Sequence, residues 1–158
     1  MTEPLAVAIG DLLRAKHLKL ALAESCTGGL IASNITDVPG SSEYFLGCVV
    51  AYAYEAKEGL LNVPHDLLLQ HGAVSEPIAR ELAKNARLKF GADVSIGITG
   101  IMGPGGATAT KPLGLTYIAL SASDAEWCRH FVWRGNRLEN KSSATHAALE
   151  MLQEYLLC

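Results

Sequence analysis

A chain of 158 residues, 49% hydrophobic and 18% charged, is long enough to bury a sizeable core and too apolar to be disordered. Its net charge of -3 does not suit a nucleic-acid binder or a basic membrane-surface protein. No apolar run reaches the ~18–20 residues of a membrane span, and the N-terminus lacks the basic-then-apolar layout of a signal peptide. One cytoplasmic domain covering residues 1–158 is expected, with no nucleic-acid or membrane partner. Cys26, Cys48, Cys128 and Cys158 form no C-x-x-C pair, and His17, His65, His71, His130 and His146 lack ligand spacing. Free thiols in a reducing compartment, no metal site and no cofactor are therefore expected.

Residues 4–16 predict an amphipathic helix with Pro4 in its first turn and Leu5, Ile9, Leu12 and Leu13 as its buried stripe. An apolar run from Leu18 to Ala23 reads as a strand. It ends in a polar knot, Glu24-Ser25-Cys26-Thr27, then Gly28 and Gly29, and a second helical pattern begins at Leu30. Residues 37–42 signal a turn. The continuous aromatic and β-branched stretch 44–52 predicts a strand buried on both faces. Short helices are expected at 54–61 and from Pro64 to about Gly72. Ser75 is expected to cap a long helix, with Glu76 and Pro77 in its first turn, Ile78, Leu82, Ala86 and Phe90 inward, and Gly91 as its stop. A strand at 92–99 runs into a glycine-rich loop, Gly100 to Ala107. Strands at 113–121 and 127–134 form a hairpin around Ser123-Asp124. Gly135-Asn136 breaks the chain before a final helix at about 138–156.

Strands alternating with helices, then a hairpin and a helix, favour an α/β fold: a three-layer α/β/α sandwich with a mixed, mostly parallel sheet. Ligands of such sheets bind beyond the carboxyl ends of the parallel strands. The knot at 24–29, the turn at 52–57 and the loop at 99–106 would converge there.

These segments carry candidate chemistry. Ser25 stands before a helix whose free N–H groups and dipole favour an anion, and Gly28 and Gly29 let a ligand approach the backbone. A plain N-cap is the competing reading of Ser25. A serine nucleophile needs a base, and no histidine lies in the three segments. Lys57 does, and a buried lysine can serve; its competing reading is a solvated helix residue. The glycine-rich loop is either an anion cradle or a structural crossover. Arg137 and Lys141, one helical turn apart, would add cations for a phosphate.

Ala-Glu-Ser-Cys-Thr-Gly-Gly at 23–29 closely resembles the signature of the CinA C-terminal domain family. So do Val-Pro-Gly-Ser-Ser at 38–42, Tyr-x-x-Glu-Ala-Lys at 52–57, His-Gly-Ala-Val-Ser at 71–75, Thr-Gly-Ile-x-Gly-Pro at 99–104, Lys-Pro-x-Gly at 111–114 and Gly-x-Arg at 135–137. The resemblance implies a nicotinamide-nucleotide amidase of pyridine-nucleotide salvage. Such an enzyme hydrolyses nicotinamide mononucleotide to nicotinate mononucleotide and ammonia by a Ser–Lys mechanism without metal. It also implies a homo-oligomer, and the stand-alone form of a domain that elsewhere follows a larger one. On it, Ser25 is the nucleophile, Lys57 its base and Tyr52 an active-site tyrosine. Thr27, Gly28, Gly29, Thr99, Gly100, Gly103, Gly105, Gly106 and Arg137 match ligand-binding surfaces. The sequence departs from the family pattern at Ala53 and Tyr54 (usually Ser or Thr, and Asn), at Met102, over 107–110 and at Lys141, where arginine is common. Tyr54 puts a bulky phenol near Lys57, where it bears on the shape of the pocket. A silent relative that binds a pyridine nucleotide as a sensor, and Cys26 as nucleophile, are the alternatives.

Overall fold

The computed structural model describes residues 3–158. Helix α1 (Leu5–Lys16) leads into β1 (Leu20–Glu24) and α2 (Leu30–Thr36). A single 3-10 turn (Ser41–Glu43) precedes β2 (Phe45–Val50). Helices α3 (Tyr54–Leu61), α4 (His65–His71) and α5 (Glu76–Phe90) follow, then β3 (Val94–Gly100). The hairpin of β4 (Leu115–Ala122) and β5 (Glu126–Val132) leads to α6 (Arg137–Leu157). The sheet order is β2-β1-β3-β4-β5. β1 pairs in parallel with β2 and β3, and β4 runs antiparallel to β3 and β5. Four of the five strands thus point the same way.

The period-two alternation of the central strands sorts the two faces by residue size. Leu20, Leu22, Ile96, Ile98, Ile118 and Leu120 share one core with Ile9 and Leu13 of α1, Ile31 and Ile35 of α2 and the apolar side of α6. The opposite face carries small residues. Ala23 meets Ile78 and Leu82 of α5, and Ala119 meets Ala79 and Ala83. A Cβ on Gly97 would lie 2.7 Å from the carbonyl oxygen of Ala79 and 3.0 Å from Cα of Ala83. Helix α5 therefore rests on the sheet almost backbone to backbone. Ser95 Oγ donates to the Ala83 carbonyl across the same contact.

β2 differs from expectation. It is an edge strand of half-buried and exposed residues, with Leu46 and Val50 largely open to solvent. Its aromatic and β-branched composition marks a strand but not its place in the sheet, and only β1 lies beside it. Ser75 precedes α5 as expected, yet its hydroxyl donates to the Gly72 carbonyl rather than capping the helix. Helix α6 begins with a capping box: Asn136 accepts from the Glu139 N–H, and Glu139 accepts from the Asn136 N–H. Among the described residues, no helix is long and apolar enough to cross a membrane.

The tight seat of α5 has a measurable consequence. Gly97→Ala forces the helix off the sheet and is expected to cost about 1–3 kcal/mol of stability. Urea unfolding, with an unchanged m-value, measures it.

Candidate active site

At the end of β1 the strand alternation separates two neighbours. Glu24 lies on the face of Leu20 and Leu22, toward α2. Ser25 follows Ala23 toward α3. The register carries on past the strand: Ser25 N–H donates to the Ile98 carbonyl and Ala51 N–H to the Glu24 carbonyl. The ends of β1, β2 and β3 are thereby held side by side.

Glu24 is 1% exposed. Its carboxylate accepts from Thr27 Oγ1 at 2.5 Å, Ile31 N–H at 3.0 Å and Ala32 N–H at 2.9 Å. Cys48 Sγ adds a weaker contact at 3.5 Å. The helix start was expected to aim free N–H groups at a ligand; instead, a carboxylate from the preceding strand takes up those of Ile31 and Ala32. Nor does Ser25 cap this helix: Gly29 occupies that position, without a side-chain bond. Gly28 and Gly29 have φ of +61° and +101°, backbone that L side chains rarely adopt, so both are needed by the turn itself. Gly28 N–H donates to the Ser25 carbonyl and Leu30 N–H to that of Thr27. The N–H groups of Cys26 and Thr27 make no hydrogen bond to another residue among the described residues.

Lys57 comes from α3 and is 1% exposed. Its Nζ donates to the carbonyls of Ala51 and Tyr52, both at 2.9 Å, and lies 2.9 Å from Ser25 Oγ. Burial pushes its pKa below the ordinary lysine value, because the dry site disfavours the charged form. Two of the three positions on nitrogen are committed to carbonyls. In the neutral amine the third is the lone pair, and it faces the Ser25 hydroxyl. Cys26 is buried beside them, and burial pushes its thiol up to about 12. That holds it in the poorly nucleophilic thiol form.

A cleft of about 230 Å³ opens over this pair. Ser25, Cys26, Tyr52, Lys57, Thr99, Gly100, Gly105, Gly106 and Arg137 line it, so the three expected segments do converge. Arg137, at the first turn of α6, donates from Nη1 to the Gly103 carbonyl at 2.8 Å and from Nη2 to Tyr52 Oη at 3.0 Å. Gly103 does not line this cleft but lines the adjoining groove, which shares Met102 and Arg137 with it. Thr27, Gly28 and Gly29 do not line the cleft either. Lys141 stands over the turn, its Nζ 3.8 Å from where a Gly28 Cβ would be. Thr99 is buried, and its hydroxyl donates to the Ala73 carbonyl at 2.9 Å. Tyr54 is not on the cleft: its hydroxyl accepts from the Ala73 N–H at 3.2 Å.

Sequence reasoning missed four contributors. Ala73 and Val74 form one wall, although the 71–75 motif was visible only as a family match. Asn140, 3% exposed, donates to the Met102 carbonyl at 2.9 Å and accepts from the Gly135 N–H at 2.9 Å, tying α6 to the glycine loop. Glu24 was read only as part of a polar knot, and a carboxylate just before a helix was the available signal for its capping role. Among the described residues, no group of three His, Cys, Asp or Glu side chains is placed to hold a metal ion.

The CinA C-terminal domain model matches residues 2–156. A CinA-like protein of Desulfotalea psychrophila is 43% identical over 98% of this chain, and a putative competence-damage inducible protein of Symbiobacterium thermophilum is 45% identical over 98%. In both cases the chain spans 38% of the relative's length. The crystal structure of competence/damage inducible protein CihA from Agrobacterium tumefaciens superposes with a TM-score of 0.94 at 35% identity, covering 98% of this chain and 94% of that one. With the mixed five-stranded sheet and the motif-bearing loops gathered at one end of it, this chain belongs to the CinA C-terminal domain family.

Proposed function

We propose that the protein is an amidase that hydrolyses the carboxamide of nicotinamide mononucleotide through a Ser25–Lys57 pair. The observation that carries this reading is the 2.9 Å contact between Ser25 Oγ and a buried, doubly anchored Lys57 Nζ. A lysine serves as base only when neutral, and its burial favours that form.

In this reading the carboxamide enters the cleft with its carbonyl carbon over Ser25. Ser25 Oγ attacks that carbon while its proton passes to Lys57 Nζ. The N–H groups of Cys26 and Thr27 receive the negative charge that develops on the carbonyl oxygen. Lys57, now an ammonium, returns the proton to the leaving nitrogen; the C–N bond breaks and ammonia departs. The acyl group remains as an ester of Ser25. Water then attacks the ester and gives one proton to Lys57, which passes it to Ser25 as the ester bond breaks; the acid released ionises to the carboxylate by losing the second proton to solvent. Arg137, held between Tyr52 and Gly103, and the glycine loop take the ribose and phosphate. A neighbouring groove of about 620 Å³ shares Met102 and Arg137 with the cleft and leaves room for them.

Ammonia release from nicotinamide mononucleotide tests this directly. Ser25→Ala and Lys57→Ala are each expected to lower it by about 10³-fold or more with the fold intact by circular dichroism. Cys26→Ala is expected to stay within a few-fold of the parent. Loss of activity in that variant alone overturns the assignment, and binding without ammonia release by the parent protein identifies a silent binder.

The pH dependence has a definite sign. Raising the pH deprotonates Lys57, so kcat/KM rises with unit slope and then levels off. Because burial lowers the Lys57 pKa, the inflection falls below the ordinary lysine value of 10.5. A rate that falls as the pH is raised through neutrality contradicts lysine as the base.

A further inference from the structure

We infer that Tyr54 is a positioning residue: its hydroxyl ties the base-bearing helix α3 to the cleft wall at Ala73 and Val74 and so fixes where that wall meets a ligand. The inference rests on the amidase reading of the same cleft, whose acyl group would lie against that wall.

The wall is the segment between α4 and α5, and as far as Ala73 its backbone polar groups are taken up one after another. The His71 carbonyl accepts from Lys111 Nζ at 2.6 Å. Gly72 N–H donates to the Leu68 carbonyl at 2.8 Å, and the Gly72 carbonyl accepts from Ser75 Oγ at 2.8 Å. Ala73 N–H donates to Tyr54 Oη at 3.2 Å, and the Ala73 carbonyl accepts from Thr99 Oγ1 at 2.9 Å. From the His71 carbonyl to the Ala73 carbonyl, each backbone donor and acceptor is committed within the protein. A ligand meeting Ala73 therefore finds a methyl group and no polar backbone partner. At Ala73 a ring edge or face made of carbon fits that surface, whereas Val74 beside it keeps an N–H and a carbonyl that make no hydrogen bond among the described residues.

Tyr54 has a distinct place among these bonds. Ser75 belongs to the wall segment itself and Leu68 to the preceding helix α4, Thr99 to β3, and Lys111 to the loop before β4. Tyr54 is the first residue of α3 and stands three positions before Lys57, on the same side of the helix. Its bond to Ala73 links the wall to the element that carries the base.

Tyr54→Phe removes the hydroxyl and keeps the ring. The expected result is an approximately 3–10-fold rise in KM for nicotinamide mononucleotide with kcat within about twofold. The Ala73 amide should also exchange with solvent at least about tenfold faster, while core amides of α5 keep their protection. Unchanged exchange at Ala73 overturns the inference, because the bond then does not hold the wall. Faster exchange with unchanged KM overturns it as well, because the wall then does not position the ligand. Calorimetric binding of nicotinamide mononucleotide to Ser25→Ala, with and without Tyr54→Phe, separates this inference from the amidase reading. A parent protein that releases no ammonia ends the amidase reading alone. Equal dissociation constants in the two Ser25→Ala proteins, or no binding by either, end the role of Tyr54.

Discussion

The rest of the site depends on how one buried amine is solvated. Lys57 has left water almost completely, and the cost of drying an ammonium is large unless polar groups replace the lost hydration. The replacements are two carbonyls where the chain leaves β2 and one hydroxyl where it leaves β1. This arrangement has two consequences at once. Burial lowers the affinity of the nitrogen for its proton, and the two carbonyls leave its remaining position facing Ser25. Both require β1 and β2 to end level with each other, which the parallel register from Ala21–Gly47 to Glu24–Val50 provides.

The same strand end shows how adjacent residues acquire opposite roles. Glu24 and Ser25 differ by one step of a two-residue period, so they face opposite layers. The carboxylate turns to α2 and satisfies the donors of that helix, whereas the hydroxyl turns to α3 and meets Lys57. A buried carboxylate one residue from Ser25 is tolerable because its charge is spent on backbone N–H groups and on Thr27. The turn that follows is thus pinned at both ends, leaving the Cys26 and Thr27 N–H groups as the available donors beside Ser25.

The sheet supports this with an asymmetric build. Large aliphatic side chains fill the space beneath α1, α2 and α6, while alanine, serine and glycine let α5 approach closely on the other side. The close seat of α5 fixes where its leading segment, residues 71–75, reaches the cleft. Distant parts of the chain are then joined over the site by a few bonds, notably Arg137 to Tyr52 and Asn140 to Met102.

Much of this was legible in the sequence. The order of elements follows from apolar periodicity and from glycine and proline placement, and the Ser25, Lys57 and glycine-loop segments stand out as polar or glycine-rich breaks after apolar strands. Local patterns carry that information because a helix or strand is specified largely by residues within a few positions of one another. The rest needed the tertiary structure. The edge position of β2, the wall at Ala73 and Val74, the reach of Tyr54 to that wall and the turning of Glu24 toward α2 all depend on which segments cross. The bond between Arg137 and Tyr52 spans 85 positions. What the sequence by itself determined was the set of elements and the segments that gather at the cleft. What only the tertiary structure decided was which groups they meet and how much water they keep, because both depend on long-range packing that no local pattern contains.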